Sequence, residues 1–207
     1  MARTGRPRTF DRDAALTQAM HLFWEHGYES TSLTQLKAAI GDGISAPSFY
    51  AAFGSKQTLF EEAVQHYLAT HGQVTACLWD ASLTPRAAVE TALRRSAKMQ
   101  CERGHPKGCM VALGTMSATS CENAGVTSAL TLSRQRTRAG LAARIQAAID
   151  NGSLPASMNA AALTAAFDGF LLGLSPMARD GVAHEVLDAS ITQMMALWDA
   201  SPRGDSR

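Results

Sequence analysis

Apolar residues recur at steps of three and four along most of this chain, and this helical period constrains the fold more than any other feature. Near the N-terminus Leu16, Ala19, Met20 and Phe23 follow it, which is the spacing of one face of an α-helix. The strict alternation of apolar and polar residues that marks a half-buried strand does not occur. The pattern predicts an all-α protein with about nine helices.

Glycines divide the first third of the chain into three short helices and the beginning of a long one. We expect helices over about 11–26 and 33–40, and a third from near residue 45 to residue 53. Glycines at 41 and 43 predict a turn between the second and third, and the fourth helix is predicted over 56–79. Two short helices joined by a glycine-containing turn indicate a helix-turn-helix, whose latter helix enters the DNA major groove.

The rest of the chain is also predicted to be helical, with loops at Gly104–Gly108 and Asn151–Gly152. The expected helices cover about 85–103, 109–119, 123–150, 160–178 and 184–200.

Charge is concentrated at the N-terminus. The chain carries a formal net charge of +1, but residues 1–12 hold Arg3, Arg6, Arg8 and Arg12 against Asp11 alone. A basic arm of this kind can neutralise DNA phosphates while the body stays neutral. A solvated tail is the alternative.

Several classes of protein are not favoured by the sequence. It has no apolar leader and no uncharged run of membrane-spanning length, so we expect a cytoplasmic protein without a membrane partner. No nucleophile elbow, HExxH or P-loop sequence occurs, so we expect neither an enzyme nor a cofactor. Without an export signal, the four cysteines are expected to be reduced thiols.

Two segments carry a specific family resemblance. Residues 23–32 read FWEHGYESTS, and residues 45–59 read SAPSFYAAFGSKQTL. These phrases resemble the DNA-binding region of the TetR family of transcriptional regulators, and the resemblance covers roughly the first third of the chain. The turn at 40–45 departs from the family pattern by two extra residues, which puts the angle between the second and third helices in question.

The resemblance implies a DNA-binding domain with its basic arm over 1–54, and an effector-binding and dimerisation domain over 55–207. Tyr50 and Lys56 fall where the family places phosphate contacts, whereas Phe49 and Phe53 are interpreted as core. The third helix offers no Arg, Asn or Gln for bidentate base contacts, so we expect specificity from hydroxyls, methyl groups, the arm and DNA shape. The predicted DNA-binding set is Arg3, Arg6, Arg8, Thr31, Ser32, Ser45, Ala46, Pro47, Ser48, Tyr50 and Lys56.

Thr31 and Ser32 stand at a helix N-terminus, where hydroxyls suit a phosphate, although simple capping explains them equally well.

For the body, the resemblance implies a ligand cavity among the middle helices and a dimer formed by the last two. The expected effector-binding residues are Met99, Cys109, Leu113, Met116, Phe167 and Phe170. The expected interface residues are Leu163, Phe167, Leu171, Leu174, Leu187, Ile191, Met194 and Trp198, although each stripe could equally be ordinary core. The expected partners are double-stranded operator DNA, a small-molecule effector that releases a repressor, and a second copy of the chain.

Three interpretations of the cysteines stay open. Cys101, His105 and Cys109 are spaced by four, and a loop could gather them around a soft metal. Cys109 beside Lys107 could instead be a reactive thiol that senses electrophiles or oxidants. The third interpretation is that the cysteines are small buried apolar residues.

Overall fold

The computed structural model describes residues 11–114, 123 and 125–200, and within this part of the chain every regular element is helical. The all-α prediction is confirmed. The helices are α1 (Arg12–Ser30), α2 (Leu33–Ala39), α3 (Ala46–Phe53), α4 (Lys56–Ala69), α5 (Pro85–Cys101), α6 (Met110–Gly114), α7 (Ser128–Asp150), α8 (Ala160–Arg179) and α9 (His184–Asp199). Two 3-10 segments, Ile40–Asp42 and His71–Trp79, follow α2 and α4.

Side-chain caps fix where the N-terminal helices begin. The Asp11 carboxylate accepts the backbone N–H groups of Asp13 and Ala14 at 3.1 and 3.0 Å. Ser32 and Gln35 form the predicted capping box at α2. Each of these caps satisfies backbone donors that have no partner within their own helix.

The long turn between α2 and α3 is compact. Gly41 and Gly43 have φ values of 59° and 102°, a region that glycine enters without a steric penalty. The Ile44 N–H donates to the Lys37 carbonyl at 2.9 Å, and the Gly41 N–H donates to Gln18 Oε1 of α1 at 2.9 Å. The two extra residues are therefore accommodated in a turn that is hydrogen-bonded to α1.

The prediction of an unbroken fourth helix to residue 79 was wrong. α4 ends at Ala69, because Thr70 has φ −115° and ψ −91° and its hydroxyl donates to the His66 carbonyl at 2.7 Å. The seventh helix also begins later than expected, at Ser128. Gly125, Val126 and Thr127 precede it, and these residue types have low helix propensity.

The buried apolar residues form two clusters. The first joins α1–α4 with Met99, Met110, Val111, Val126 and Leu130. The second joins α5, α7, α8 and α9. We call α1–α4 the head and the remaining helices the body. Because α4 shares the core of the head, apolar packing crosses the predicted domain boundary at residue 54. The boundary itself stays a prediction.

Of the described helices, α8 is long and apolar enough to cross a membrane by length and composition alone, with a mean hydropathy of 1.3 over its best window. Its Asp168 carboxylate is buried and pairs with Arg138 of α7 at 2.7 Å. The helix also packs against α5, α7 and α9. These are the contacts of a helix in a protein core.

Candidate DNA-binding surface and effector cavity

The α3 helix exposes one face and buries the other. Phe49 and Phe53 are 0% and 2% exposed, which confirms that they belong to the core. Pro47 and Ser48 are exposed, and Tyr50 is 51% exposed. An exposed tyrosine of this kind presents a phenol hydroxyl that can donate to a phosphate.

Lys56 lies at the N-terminus of α4, next to the exposed face of α3. Its Nζ lies 4.3 Å from the centroid of the Tyr28 ring, a cation–π contact that holds the ammonium in place. Burial lowers the pKa of the Lys56 ammonium, and the nearby Glu29 partly opposes this effect. Sequence reasoning did not assign Tyr28 a role, although it lies inside the quoted family phrase.

Thr31 needs a correction. Its side chain is 0% exposed, and its hydroxyl donates to the Gly27 carbonyl at 2.7 Å. The hydroxyl therefore supports the chain at Gly27, where a φ of 79° and a ψ of 169° break the helical geometry of α1. A direct phosphate contact through it is withdrawn.

The other predicted DNA-binding residues are helix caps, a half-buried alanine, or residues outside the described part of the chain. Ser32 and Ser45 are exposed, and each hydroxyl accepts a backbone N–H as a helix cap, at 3.1 and 3.2 Å. Ala46 is half-buried. Arg3, Arg6 and Arg8 lie outside the described residues.

A cavity of about 60 Å³ lies where the head meets the body, bounded by α4, the segment after it, α5, α6, α7 and α8. Met99 and Cys109 line it, as predicted for effector-binding residues. The lining residues that sequence reasoning missed include the polar side chains of Tyr67, Ser96, Gln100, Arg134 and Ser175. In helical patterns such residues are ordinarily assigned to the surface.

Three other effector predictions are corrected. Phe167 is 0% exposed and packs edge-on against Trp198 in the second core, with ring centroids 5.9 Å apart. Phe170 packs against the same core. Leu113 is likewise absent from the described lining, and Met116 lies outside the described residues.

The expected dimer interface also needs a correction. Six of its eight residues, Phe167, Leu171, Leu174, Leu187, Ile191 and Trp198, are buried in the core of a single chain. Leu163 and Met194 are half-buried against that core. The six buried residues form the inner face of α8 and α9, which the core of their own chain covers. An interface role for Leu163 and Met194 stays a prediction.

The outer face of α8 and α9 is different in character. Val186 and Leu197 of α9 are 59% and 54% exposed, and they lie on one side of the helix three turns apart. Alanines and glycines of α8 lie on the outside of the body, with Ala165, Ala166 and Gly169 exposed. We call these exposed residues of α8 and α9 the outer face.

An aromatic cluster joins the head to the body. The Trp24 ring of α1 stacks on His105 with centroids 4.7 Å apart and meets the rings of Tyr67 and His71 at 4.8 and 5.2 Å. Arg179 at the end of α8 donates to the Trp24 carbonyl at 2.9 Å. We call Trp24, Tyr67, His71 and His105 the junction.

Histidines in and near the junction predict how the stability of the protein depends on pH. Burial, followed by electrostatic repulsion from His105, holds the pKa values of His21 and His71 below their ordinary value. The unfolded chain therefore takes up protons first as the pH falls below about 6.5, and the free energy of unfolding decreases. Urea denaturation at pH 7.5 and 5.5 measures this loss. His71→Gln is expected to reduce it.

His26→Gln is the matched control for this measurement, because it removes an exposed histidine of α1 that lies outside the junction. An equal effect of the two substitutions would refute a role for the junction.

The structure bears on two interpretations of the cysteines. His105 turns toward Trp24, whereas Cys109 faces the cavity. Among the described residues, no group of three or more His, Cys, Asp or Glu side chains is placed to hold a metal ion. The metal interpretation therefore has no support in this part of the chain.

An all-α chain with a helix-turn-helix at one end and a cavity in a helical body defines the class of helix-turn-helix regulatory proteins. The model of the bacterial regulatory proteins of the tetR family matches residues 15–63. The repressor ComR of Escherichia coli is 32% identical over 204 residues, which span 94% of this chain and 91% of ComR. The chain belongs to the TetR family of transcriptional regulators, whose members are not enzymes.

Solved structures agree with this assignment. A cysteine mutant of the TetR family regulator CifR, in complex with operator DNA, has 37% identity and a TM-score of 0.82. The match covers 94% of this chain and all of that one. A TetR regulator from Rhodococcus has 33% identity and a TM-score of 0.58, over 92% of this chain and 98% of that one.

Proposed function

We propose that this chain is a cytoplasmic repressor that binds a palindromic operator as a homodimer and is released when a small molecule occupies its cavity. The observation that carries the proposal is the exposed face of α3, which presents Tyr50, followed by Lys56 at the start of α4. The relative ComR is named a repressor, and CifR has been solved on operator DNA.

The chemistry of this surface suits a DNA backbone better than direct base reading. Tyr50 offers a hydroxyl and Lys56 an ammonium, and both are groups that contact phosphates. The exposed part of α3 offers the Pro47 ring and the Ser48 hydroxyl. Serine can contact any base, so recognition depends on methyl groups and DNA shape in addition.

The outer face supports dimerisation. Val186 and Leu197 are large apolar side chains exposed in a single chain, and the family resemblance implies a bundle of the last two helices with their symmetry mates. A Cβ atom added at Gly169 or Gly173 would meet nothing within 4 Å. These glycines leave room for a neighbouring helix to approach closely.

The cavity supports release by a ligand. Tyr67 and Cys109 line the cavity, and Tyr67 also contacts Trp24 of the head. A ligand that prefers one position of Tyr67 shifts the populations of head arrangements by its difference in affinity for them. Two heads fit a palindrome only at a spacing near one helical turn of DNA or a multiple of it.

The test is a selection of random duplex DNA by the full chain, repeated at two salt concentrations. We expect a palindrome whose affinity falls steeply as salt increases, because bound phosphates release counterions. Recovery of no motif would contradict the proposed operator binding.

Lys56→Gln gives a residue-level check on the selected duplex. The slope of log affinity against log salt is expected to decrease by about two per dimer, since each lost phosphate contact contributes about one. Lys98→Gln removes the same charge from an exposed position on α5 and should leave the slope unchanged. Equal slopes for the two variants would argue against a phosphate contact by Lys56.

A further inference from the structure

Two polar atoms at the cavity have no hydrogen-bond partner among the described residues. They are Ser96 Oγ, on a side chain that is 1% exposed, and Arg134 Nε. A buried polar group without a partner is destabilising. Because both groups can donate, they favour a molecule that presents an acceptor oxygen.

The volume and the remaining lining indicate what kind of molecule fits. A water molecule needs about 10–15 Å³ of such space, so the 60 Å³ of the cavity has room for a molecule larger than water. Met99, Val111 and Leu171 supply an apolar wall. The one carboxylate in the lining, Asp168, is paired with Arg138 at 2.7 Å. A small organic molecule that presents an acceptor oxygen fits this lining.

The same cavity holds a nucleophile. Cys109 is half-buried in its wall, and Sγ accepts a hydrogen bond from the Tyr67 hydroxyl at 3.2 Å. Burial keeps the pKa of Tyr67 well above its ordinary value, so the phenol remains a donor. The hydrogen bond holds Sγ at the wall of the cavity.

Lys107 does not serve the activating role that its position in the sequence suggested. Its ammonium donates to the backbone carbonyl groups of Cys101 and Glu102. Tyr67 is therefore the group that the structure places against the Cys109 thiol.

We propose that Cys109 is a covalent modification site for small α,β-unsaturated aldehydes and ketones, with the Ser96 hydroxyl donating to their carbonyl oxygen. This deepens the proposed function, on which it rests, by naming the effector class. Sγ loses its proton and bonds to the β-carbon, while the carbon–carbon π pair moves toward the carbonyl to give an enolate. The α-carbon then takes up a proton. Atoms balance, and no oxidant or reductant takes part.

Modification at Cys109 has a direct route to the head. The adduct converts the thiol into a thioether, which is a weak acceptor for the Tyr67 hydroxyl. It also adds atoms to a cavity with little free volume. The Tyr67 ring packs edge-on against Trp24 of α1, with ring centroids 4.8 Å apart. A displacement of Tyr67 therefore disturbs the packing of α1.

The experiment treats the full chain with methyl vinyl ketone and follows each cysteine by peptide mass spectrometry. We expect Cys109 to react at least about tenfold faster than Cys77 or Cys101, because Cys109 lines the cavity and the other two do not. Ser96→Ala should slow addition of the ketone about fivefold, the worth of one hydrogen bond. It should not slow methylation by iodomethane, which has no oxygen.

Operator binding is measured on the same samples. The adduct is expected to weaken operator binding about tenfold or more, which is within the range of allosteric coupling. The Cys109→Ser variant should bind the operator, and the ketone should not change its affinity. Reaction spread evenly over the cysteines, or an equal effect of Ser96→Ala on both reagents, would overturn the proposal. If the untreated chain binds no operator, the proposed function fails, while the mass spectra still decide the site.

Discussion

A Leu197→Glu variant is expected to be a folded monomer that binds the selected operator at least about a hundredfold more weakly than the unchanged chain, because one head alone loses the effective concentration of the second. Leu197 is 54% exposed on the outer face, so the substitution does not disturb the core of its own chain. In a twofold interface each substitution occurs twice. Burying an unpaired carboxylate there makes the free energy of dimerisation less favourable by at least about 3 kcal/mol. Sedimentation and operator titration measure both effects.

Leu132→Glu is the matched control. Leu132 is 64% exposed on α7, so the same substitution adds the same charge outside the outer face. It is expected to leave the molecular mass and operator affinity unchanged. A dimeric Leu197→Glu protein with full affinity would show that the copies meet elsewhere.

The error in the predicted interface has a physical cause. Periodicity identifies the most apolar face of a helix, and in α8 and α9 that face is occupied by the core of the chain itself, with Phe167, Ile191 and Trp198. The outer face of α8 is made mainly of alanine and glycine. Such residues give no strong pattern in a sequence, although they allow close helix contact.

The head could be predicted much better than the cavity. Caps and turns depend on residues a few positions apart, so Asp11, Ser32 and the glycines at 41 and 43 could be placed from the sequence. Thr31 was misassigned, because its burial depends on a bond to Gly27 across the break in α1. The choice between capping, support and phosphate binding is made by tertiary structure.

The junction and the cavity depend on contacts that are distant in the sequence. Tyr67 and Cys109 are 42 positions apart, and Trp24 reaches His105 from another helix. No local pattern links them. Ser96 occupies a position in α5 that reads as one polar residue among many, and only the packing shows that it is buried at a cavity.

Trp24→Ala is expected to lower the free energy of unfolding by about 3–5 kcal/mol, as found for the removal of large buried aromatic side chains. Trp24 is 2% exposed and stacks on His105 at 4.7 Å, so the substitution leaves a cavity between head and body. A domain of ordinary stability has about 5–15 kcal/mol in total. Urea denaturation at pH 7.5 measures the loss.

Trp79→Ala and Trp24→Phe separate the reasons for this loss. Trp79 is 49% exposed, and its replacement should cost under about 1 kcal/mol. Trp24 Nε1 has no partner among the described residues, so phenylalanine gives up ring area but no hydrogen bond and should retain most of the stability. If Trp24→Phe were as unstable as Trp24→Ala, the indole nitrogen would have a bonding role, and packing alone would not explain the junction.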